Sequence, residues 1–153
     1  MEAEKKVTVR FIDWNSVDGF SARTIRFNVF VDEQKVPAEL ELDETDLVAV
    51  HVLAVLEDGI PCGTGRLFPD ESDPTVAHIG RMAVLKEYRG VGCGSAILHS
   101  LVAYARENGY AKARLSAQCH ALAFYERHGF EAYGDIYDDA GISHRAMQLM
   151  LNS

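Results

Sequence analysis

Apolar and polar side chains alternate from Val7 to Ile12, the period-two signature of a first β-strand. Over residues 18–31 the apolar positions Phe20, Ile25, Phe27, Val29, Phe30 and Val31 predict one helix lying on a core, begun by Ser16 or Asp18 as its cap. Residues 34–46 read as a loop holding five acids, Glu39, Glu41, Asp43, Glu44 and Asp46. Two β-rich runs, 48–57 and 60–68, flank Asp58-Gly59, a dipeptide suited to the positive φ angles of a tight hairpin. After turn chemistry at 69–74 a further strand is expected over 75–85. Ile97, Leu98, Leu101, Val102 and Ala105 then fall at helical spacing within 92–108, and Asn108-Gly109 supplies a stop. A strand at 111–118, a short helix at 121–128 ended by Gly129, and strands at 133–137 and 144–151 complete the chain. The order βαβββαβαββ predicts an α/β (α+β) domain, a mixed sheet with helices packed on it.

Composition narrows the function classes. The chain has 153 residues, 48% of them hydrophobic and 25% charged, which suits one soluble domain spanning 1–153. That length buries enough surface to fold without disulfides or a metal, and no metal is expected. Fifteen Lys+Arg against 23 Asp+Glu give a net charge of −8, which argues against nucleic acid as a partner. Three cysteines, Cys62, Cys93 and Cys119, without C-x-x-C spacing point to a reducing, cytoplasmic setting. Residues 1–6 lack the apolar core of a leader, and the longest apolar stretch, 47–56, is about half a membrane span and contains His51. No membrane partner is expected.

The segment richest in chemistry is Arg89-Gly90-Val91-Gly92-Cys93-Gly94-Ser95, three alternating glycines between a strand and a helix. Glycines let the backbone approach a ligand, and a helix start adds unpaired amides and the positive end of its dipole. This is a seat for phosphate oxygens, with Arg89 as a charged partner, unless the loop is only a turn. It is no P-loop, because Gly94-Ser95 lacks the lysine. A dinucleotide site is also excluded, since strand 111–118 carries no acid.

The same residues resemble the R/Q-x-x-G-x-G/A signature of the Gcn5-related N-acetyltransferases, the GNAT superfamily. His78-Ile79-Gly80-Arg81-Met82-Ala83-Val84 is similar to the strand before that loop, and Phe124-Tyr125-Glu126-Arg127-His128-Gly129-Phe130 resembles the second hallmark. Arg26, Val29-Phe30-Val31, Glu33-Gln34, Val36-Pro37 and the late Gly141-Ile142-Ser143-His144 resemble the ElaA/YjcF-like branch.

The resemblance implies a sheet splayed at the cofactor strand and transfer of the acetyl group of acetyl-CoA to a small primary amine, by direct attack. A protein lysine or N-terminus, a glucosamine-phosphate-type acceptor, or a non-catalytic acyl-CoA-binding module stand as alternatives. The resemblance assigns the pyrophosphate to the amides of Arg89, Gly90, Val91, Gly92, Cys93, Gly94 and Ser95. It assigns the pantetheine arm to Met82, Ala83 and Val84, with one N–H near Met82 or Ala83 facing the thioester oxygen. Tyr125 is the implied general acid. His78 is the implied base, with Glu41, His51, His144 or ordered water as alternatives. Arg26, Glu33, Glu41 and His144 are candidate acceptor contacts, the acid-rich loop being either an electronegative mouth or a solvated surface. Homodimers are common among such proteins, and the apolar C-terminal strand could contribute to one.

Overall fold

A computed structural model describes residues 6–151; of the segment read as lacking a leader, residues 1–5 lie outside the described residues. The alternation at the start forms β1 (Val7–Ile12). Ser16 then caps α1 (Val17–Arg26), its hydroxyl accepting the Gly19 N–H at 3.2 Å. The single helix expected over 18–31 instead changes pitch. After Arg26 the chain runs as a π-helical segment, Phe27–Glu33, closed by the Gln34 N–H donating to the Val29 carbonyl at 3.0 Å. Bulky Phe27 and Phe30 beside β-branched Val29 and Val31 crowd a tighter turn, and the five-residue repeat stacks Val29 over Gln34.

The acid-rich stretch read as a loop is also structured. It holds α2 (Ala38–Glu41) and a 3-10 turn at Glu44–Leu47, capped reciprocally by Asp43 and Asp46. Glu41 and Asp46 are buried, so neither an electronegative mouth nor a wholly solvated loop describes it. The reason is Arg26, itself only 1% exposed. Its Nε donates to Glu41 Oε1 at 2.7 Å and its Nη1 to Asp46 Oδ1 at 2.7 Å. Arg66 donates to Asp43 and Asp46 at the same distance, 2.7 Å. Buried charges persist only when paired in this way.

Strands β2 (Val50–Leu56) and β3 (Pro61–Pro69) form the hairpin signalled by Asp58-Gly59, followed by β4 (Val76–Val84). Then come α3 (Cys93–Glu107), β5 (Lys112–Gln118), α4 (Leu122–Arg127), β6 (Glu131–Asp139) and β7 (Ile142–Met150). The last two strands are longer than the expected 133–137 and close to the expected 144–151. The sheet order is β1-β2-β3-β4-β5-β7-β6, antiparallel except where β4 meets β5.

Its two faces carry separate cores. Val52, Ala54 and Leu56 pack with Ile97, Leu98 and Leu101 beneath α3, whereas Leu53 and Ala83 pack with Trp14, Ala22 and Ile25 beneath α1. The alternation along β2 therefore serves both sides of the sheet. Gly63 and Gly65 seat α3 directly on β3, since a Cβ at either would lie 2.8 Å from an Ile97 side-chain carbon. Among the described residues, no helix is long and apolar enough to cross a membrane.

Candidate active site

The site begins where two neighbouring strands part. β4 and β5 pair only at Val76↔Lys112, Ala77↔Ala113 and His78↔Arg114. Beyond that point β4 stays with β3 as far as Val84↔Gly63, while β5 follows β7 to Gln118↔His144. The backbone edges of residues 79–84 and 115–118 therefore face one another without a ladder between them, a wedge into which an extended arm can add hydrogen bonds. This is the splay expected at the cofactor strand.

A local irregularity shapes the β4 side. Arg66 pairs with Gly80 and Thr64 with Ala83, so Gly65 alone opposes Arg81 and Met82. Such a bulge leaves one residue of the pair outside the ladder and re-aims its neighbours. Arg81 adopts φ 48°, a left-handed conformation that costs an L-residue about 1–2 kcal/mol.

A cavity of about 950 Å³ fills the wedge. Met82, Ala83 and Val84 form one wall, Leu115, Ser116 and Gln118 the other, and Arg89, Gly90, Gly92, Cys93, Gly94 and Ser95 its end. Val91 packs onto the core beneath and does not line it. Gly90 and Gly92 have φ of 85° and 92° with nothing within 4 Å of an added Cβ, so the loop leaves open room against its backbone. The first intrahelical bond of α3 is from the Ala96 N–H to the Gly92 carbonyl at 3.0 Å, and no side chain caps the helix. The amides of Cys93, Gly94 and Ser95 thus lack helical partners at the positive end of a 15-residue dipole. These residues fit a pyrophosphate.

Arg89 is placed differently from the expectation of a free phosphate partner. Its Nη1 and Nη2 donate to Glu33 Oε2 and Oε1, both at 2.7 Å, and its Nε donates to the Val84 carbonyl at 3.0 Å. The Arg89 hydrogen bonds hold the Glu33 carboxyl below its ordinary pKa, more than burial raises it. This bidentate pair ties the π-helical segment to the glycine loop, so Val29, Phe30, Glu33 and Gln34 all line the cavity.

Tyr125 enters from α4. Its hydroxyl points at Met82 Sδ, 3.8 Å away, and burial pushes its pKa up to about 12. It is therefore protonated at neutral pH and able to donate. His144 also lines the cavity; its Nδ1 donates to the Ile142 carbonyl at 2.8 Å and its ring stacks on Tyr137, leaving Nε2 for other work.

Other expected site residues are not brought here. His78 sits below the split, its Nε2 2.6 Å from Asp70 Oδ1 and its ring stacked on Phe68, and it does not line the cavity. His51 is buried, with Nε2 2.9 Å from the Asp46 carbonyl and its ring stacked on Trp14; burial lowers its pKa. Arg26 belongs to the core ion-pair network and not to an acceptor surface. Glu41 borders the cavity, but Arg26 holds its carboxylate, and burial raises its pKa more than that arginine lowers it.

Sequence reasoning missed Arg81, Gln118 and His120, which line the cavity. Gln118 and Gln34 join their amides at 2.8 and 3.3 Å, and His120 Nε2 lies 2.6 Å from Gln118 Oε1. The available signal was Ser116 and Gln118 alternating with buried Leu115 and Ala117 on β5.

Comparison with known proteins bears on this geometry. Residues 17–151 match the family described as an acetyltransferase (GNAT) domain. The chain is 36% identical over 124 residues to the uncharacterized N-acetyltransferase YjcF of Bacillus subtilis, covering 80% of this chain and 86% of that one. Among solved structures it resembles an acyl-CoA N-acyltransferase from Pseudomonas aeruginosa, with TM-score 0.79, 30% identity and coverage of 95% and 99% of the two chains. It likewise resembles Escherichia coli ElaA, with TM-score 0.80, 25% identity and the same coverage of 95% and 99%. The chain belongs to the GNAT acetyltransferases, in their YjcF/ElaA-like branch, and is an acyltransferase whose co-substrate is acetyl-CoA.

Proposed function

We propose that the chain acetylates a small primary amine by direct attack on the thioester, with Tyr125 as general acid. The observation that carries this reading is one cavity joining the unpaired edge of β4, the glycine loop and Tyr125, whose hydroxyl lies 3.8 Å from Met82 Sδ. Bound acetyl-CoA supplies the activated acetyl group. The backbone of Met82, Ala83 and Val84 orients the pantetheine arm as an added strand would be oriented. A backbone N–H near Met82 or Ala83, on the strand beside the bulge, stabilises charge on the thioester oxygen. Tyr125, protonated at neutral pH, hydrogen-bonds to the departing sulfur and gives it its proton as the C–S bond breaks. His144, fixed through Nδ1, accepts the proton of the attacking amine at Nε2. No cysteine is needed for this route, and Cys62 and Cys93 are buried.

The first test is calorimetric titration with acetyl-CoA, with Gly92→Glu as control. Tight binding to the native chain and none to the variant supports the loop assignment; absent binding to both sinks it. Tyr125→Phe should then lower kcat for CoA release by on the order of 10²-fold or more while acetyl-CoA affinity is retained. Unchanged turnover would remove Tyr125 from the mechanism.

A further inference from the structure

Arg81 stands apart from the other arginines around the cavity. Arg26, Arg66 and Arg89 each make ion pairs at 2.7 Å. Arg81 has only long contacts, 3.3 Å from Nη2 to the Leu40 carbonyl, 3.5 Å to Asp43 Oδ2 and 3.9 Å from Nε to Glu41 Oε1. Those carboxylates already have better partners, since Arg26 holds Glu41 and Arg66 holds Asp43 through two nitrogens. Arg81 Nε is buried without a hydrogen bond, as are Arg66 Nε and Arg114 Nε, but Arg66 makes short bonds through its other nitrogens and Arg81 does not. Arg66 and Arg81 both meet opposing effects of burial and nearby carboxylates. Burial lowers both, but hydrogen bonds to Asp43 and Asp46 bring Arg66 out raised, whereas Arg81 remains lowered. The side chain is 32% exposed, open to the cavity, and a guanidinium so placed with long contacts has donors left for an anion.

Its backbone strengthens the point. Arg81 occupies a left-handed bulge position, φ 48°, where glycine would sit without strain, and Gly80 lies one residue away. Lys35 and Ala140 share a positive φ, so the strain assigns no role by itself, but at Arg81 it falls on a strand that walls the cavity. The guanidinium lines the cavity beside Leu40 and Val36, one residue along the chain from Met82, whose sulfur faces the Tyr125 hydroxyl. The two side chains leave opposite faces of β4, Arg81 toward Leu40 and the acids around α2 and Met82 toward the α3 core, so a group held by Arg81 reaches the reacting centre through the gap where β4 and β5 part. Arg127 also borders the cavity but is exposed on α4.

We infer that Arg81 recognises an anionic group of the acceptor, so that the amine acetylated by this chain carries a carboxylate or phosphate a few bonds from its nitrogen. The inference rests on the transfer reading above and narrows its substrate class. A planar fork of N–H donors suits either anion bidentately.

The experiment uses matched amines: an α-amino acid, its amide and its decarboxylated amine for the carboxylate arm, with phosphoethanolamine and ethanolamine for the phosphate arm. CoA release gives kcat and KM, and calorimetry on the CoA-saturated protein gives acceptor affinity. The native chain should prefer the anionic member of at least one arm by on the order of 10- to 100-fold in kcat/KM. Arg81→Gln should erase that preference by raising KM for the anionic amine, with the constants for its neutral counterpart little changed. Arg81→Lys keeps the charge without the fork and should retain part of the preference; it decides the matter where Arg81→Gln does not fold. Equal use of charged and neutral amines by the native chain overturns the assignment. So does an Arg81→Gln variant that slows both members alike, the mark of a purely structural arginine. If acetyl-CoA binds but no anionic amine binds or reacts, Arg81 loses its role and the cofactor reading stands. If acetyl-CoA does not bind, the transfer reading falls. Direct titration of the anionic amines into the native chain and Arg81→Gln then decides the arginine separately, binding only to the native chain supporting it and absence of binding overturning it.

Discussion

Two side chains show how burial sets a residue's chemistry. Tyr125 has no charged neighbour among the causes of its shift; burial alone lifts its pKa to about 12. An ordinary tyrosine loses its proton near pH ~10, so an acid with that value would give a rate falling through that range. The pH–rate profile of CoA release should therefore show no falling limb at about pH 10 assignable to Tyr125, and such a limb, absent in Tyr125→Phe, would contradict the burial argument. Arg26 shows a second case, a buried guanidinium paired with two carboxylates, with the Trp14 ring 5.3 Å from its guanidinium carbon. Its placement near the acceptor was an expectation from sequence pattern, and only tertiary pairing separates it from Arg81. Arg26→Ala should strip buried Glu41 and Asp46 of their main partner and lower stability by about 3–5 kcal/mol in urea unfolding. Were Arg26 an acceptor ligand instead, the variant would keep its stability and lose acceptor affinity.

At the scale of elements, the cavity exists because three packing decisions agree. β3 presents glycines to α3, β4 leaves β5 after His78, and the Arg89–Glu33 pair draws the π-helical segment over the glycine loop. The first is the most sharply testable. A Cβ at position 63 would lie 2.8 Å from Ile97 Cδ1 and 2.9 Å from the Ala83 carbonyl oxygen. Ile97 can turn aside, but the carbonyl belongs to the cofactor strand. Gly63→Ala should cost about 1–3 kcal/mol of stability and weaken acetyl-CoA binding together, because relief requires β4 to move. Loss of neither would mean that strand and helix separate freely. Most elements were legible in sequence for local reasons: Asp58-Gly59 marks a hairpin, and residues 97–105 repeat at helical spacing. The glycine loop and Tyr125 were legible because their motifs are contiguous. The π-helical segment was not, since its apolar run suits either pitch until it is packed. Nor could pattern place His78 below the split, because the point where two strands part is set by the sheet's register and not by either strand's sequence. Arg81 escaped for a related reason: a bulge is a property of two paired strands.

For the molecule as a whole, the charge network couples the α2 side of the cavity to global stability. Asp43 and Asp46 hold α2 and the following turn against Arg26 and Arg66, hence against β3 and the start of the π-helical segment. Burial opposes ionisation of both acids, but the arginine partners outweigh it, and both pKa values end below the ordinary carboxylate value. The sign follows directly. Above the unfolded-state pKa, near ~3.9, both states are ionised and the full stabilisation is present. As pH falls, the unfolded chain takes up protons that the folded chain refuses, so stability drops until the folded pKa values are passed. Glu41, whose pKa is raised, contributes in the other direction: its stabilisation is present below the unfolded value and is lost as pH rises through the folded one. The steepness of acid unfolding therefore reflects Asp43 and Asp46 together against Glu41, and Asp46, bonded to both Arg26 and Arg66, is the one whose removal reports on the network. Asp46→Asn lowers stability at every pH by exposing the two arginines to a missing partner, which by itself says nothing about titration. Its diagnostic effect is on slope. Urea unfolding free energies measured from about pH 5 downward should fall less steeply in the variant, by up to one proton, or about 1.4 kcal/mol per pH unit. Parallel curves displaced vertically would mean that Asp46 titrates alike in both states, and the acid sensitivity would then belong to the exposed carboxylates.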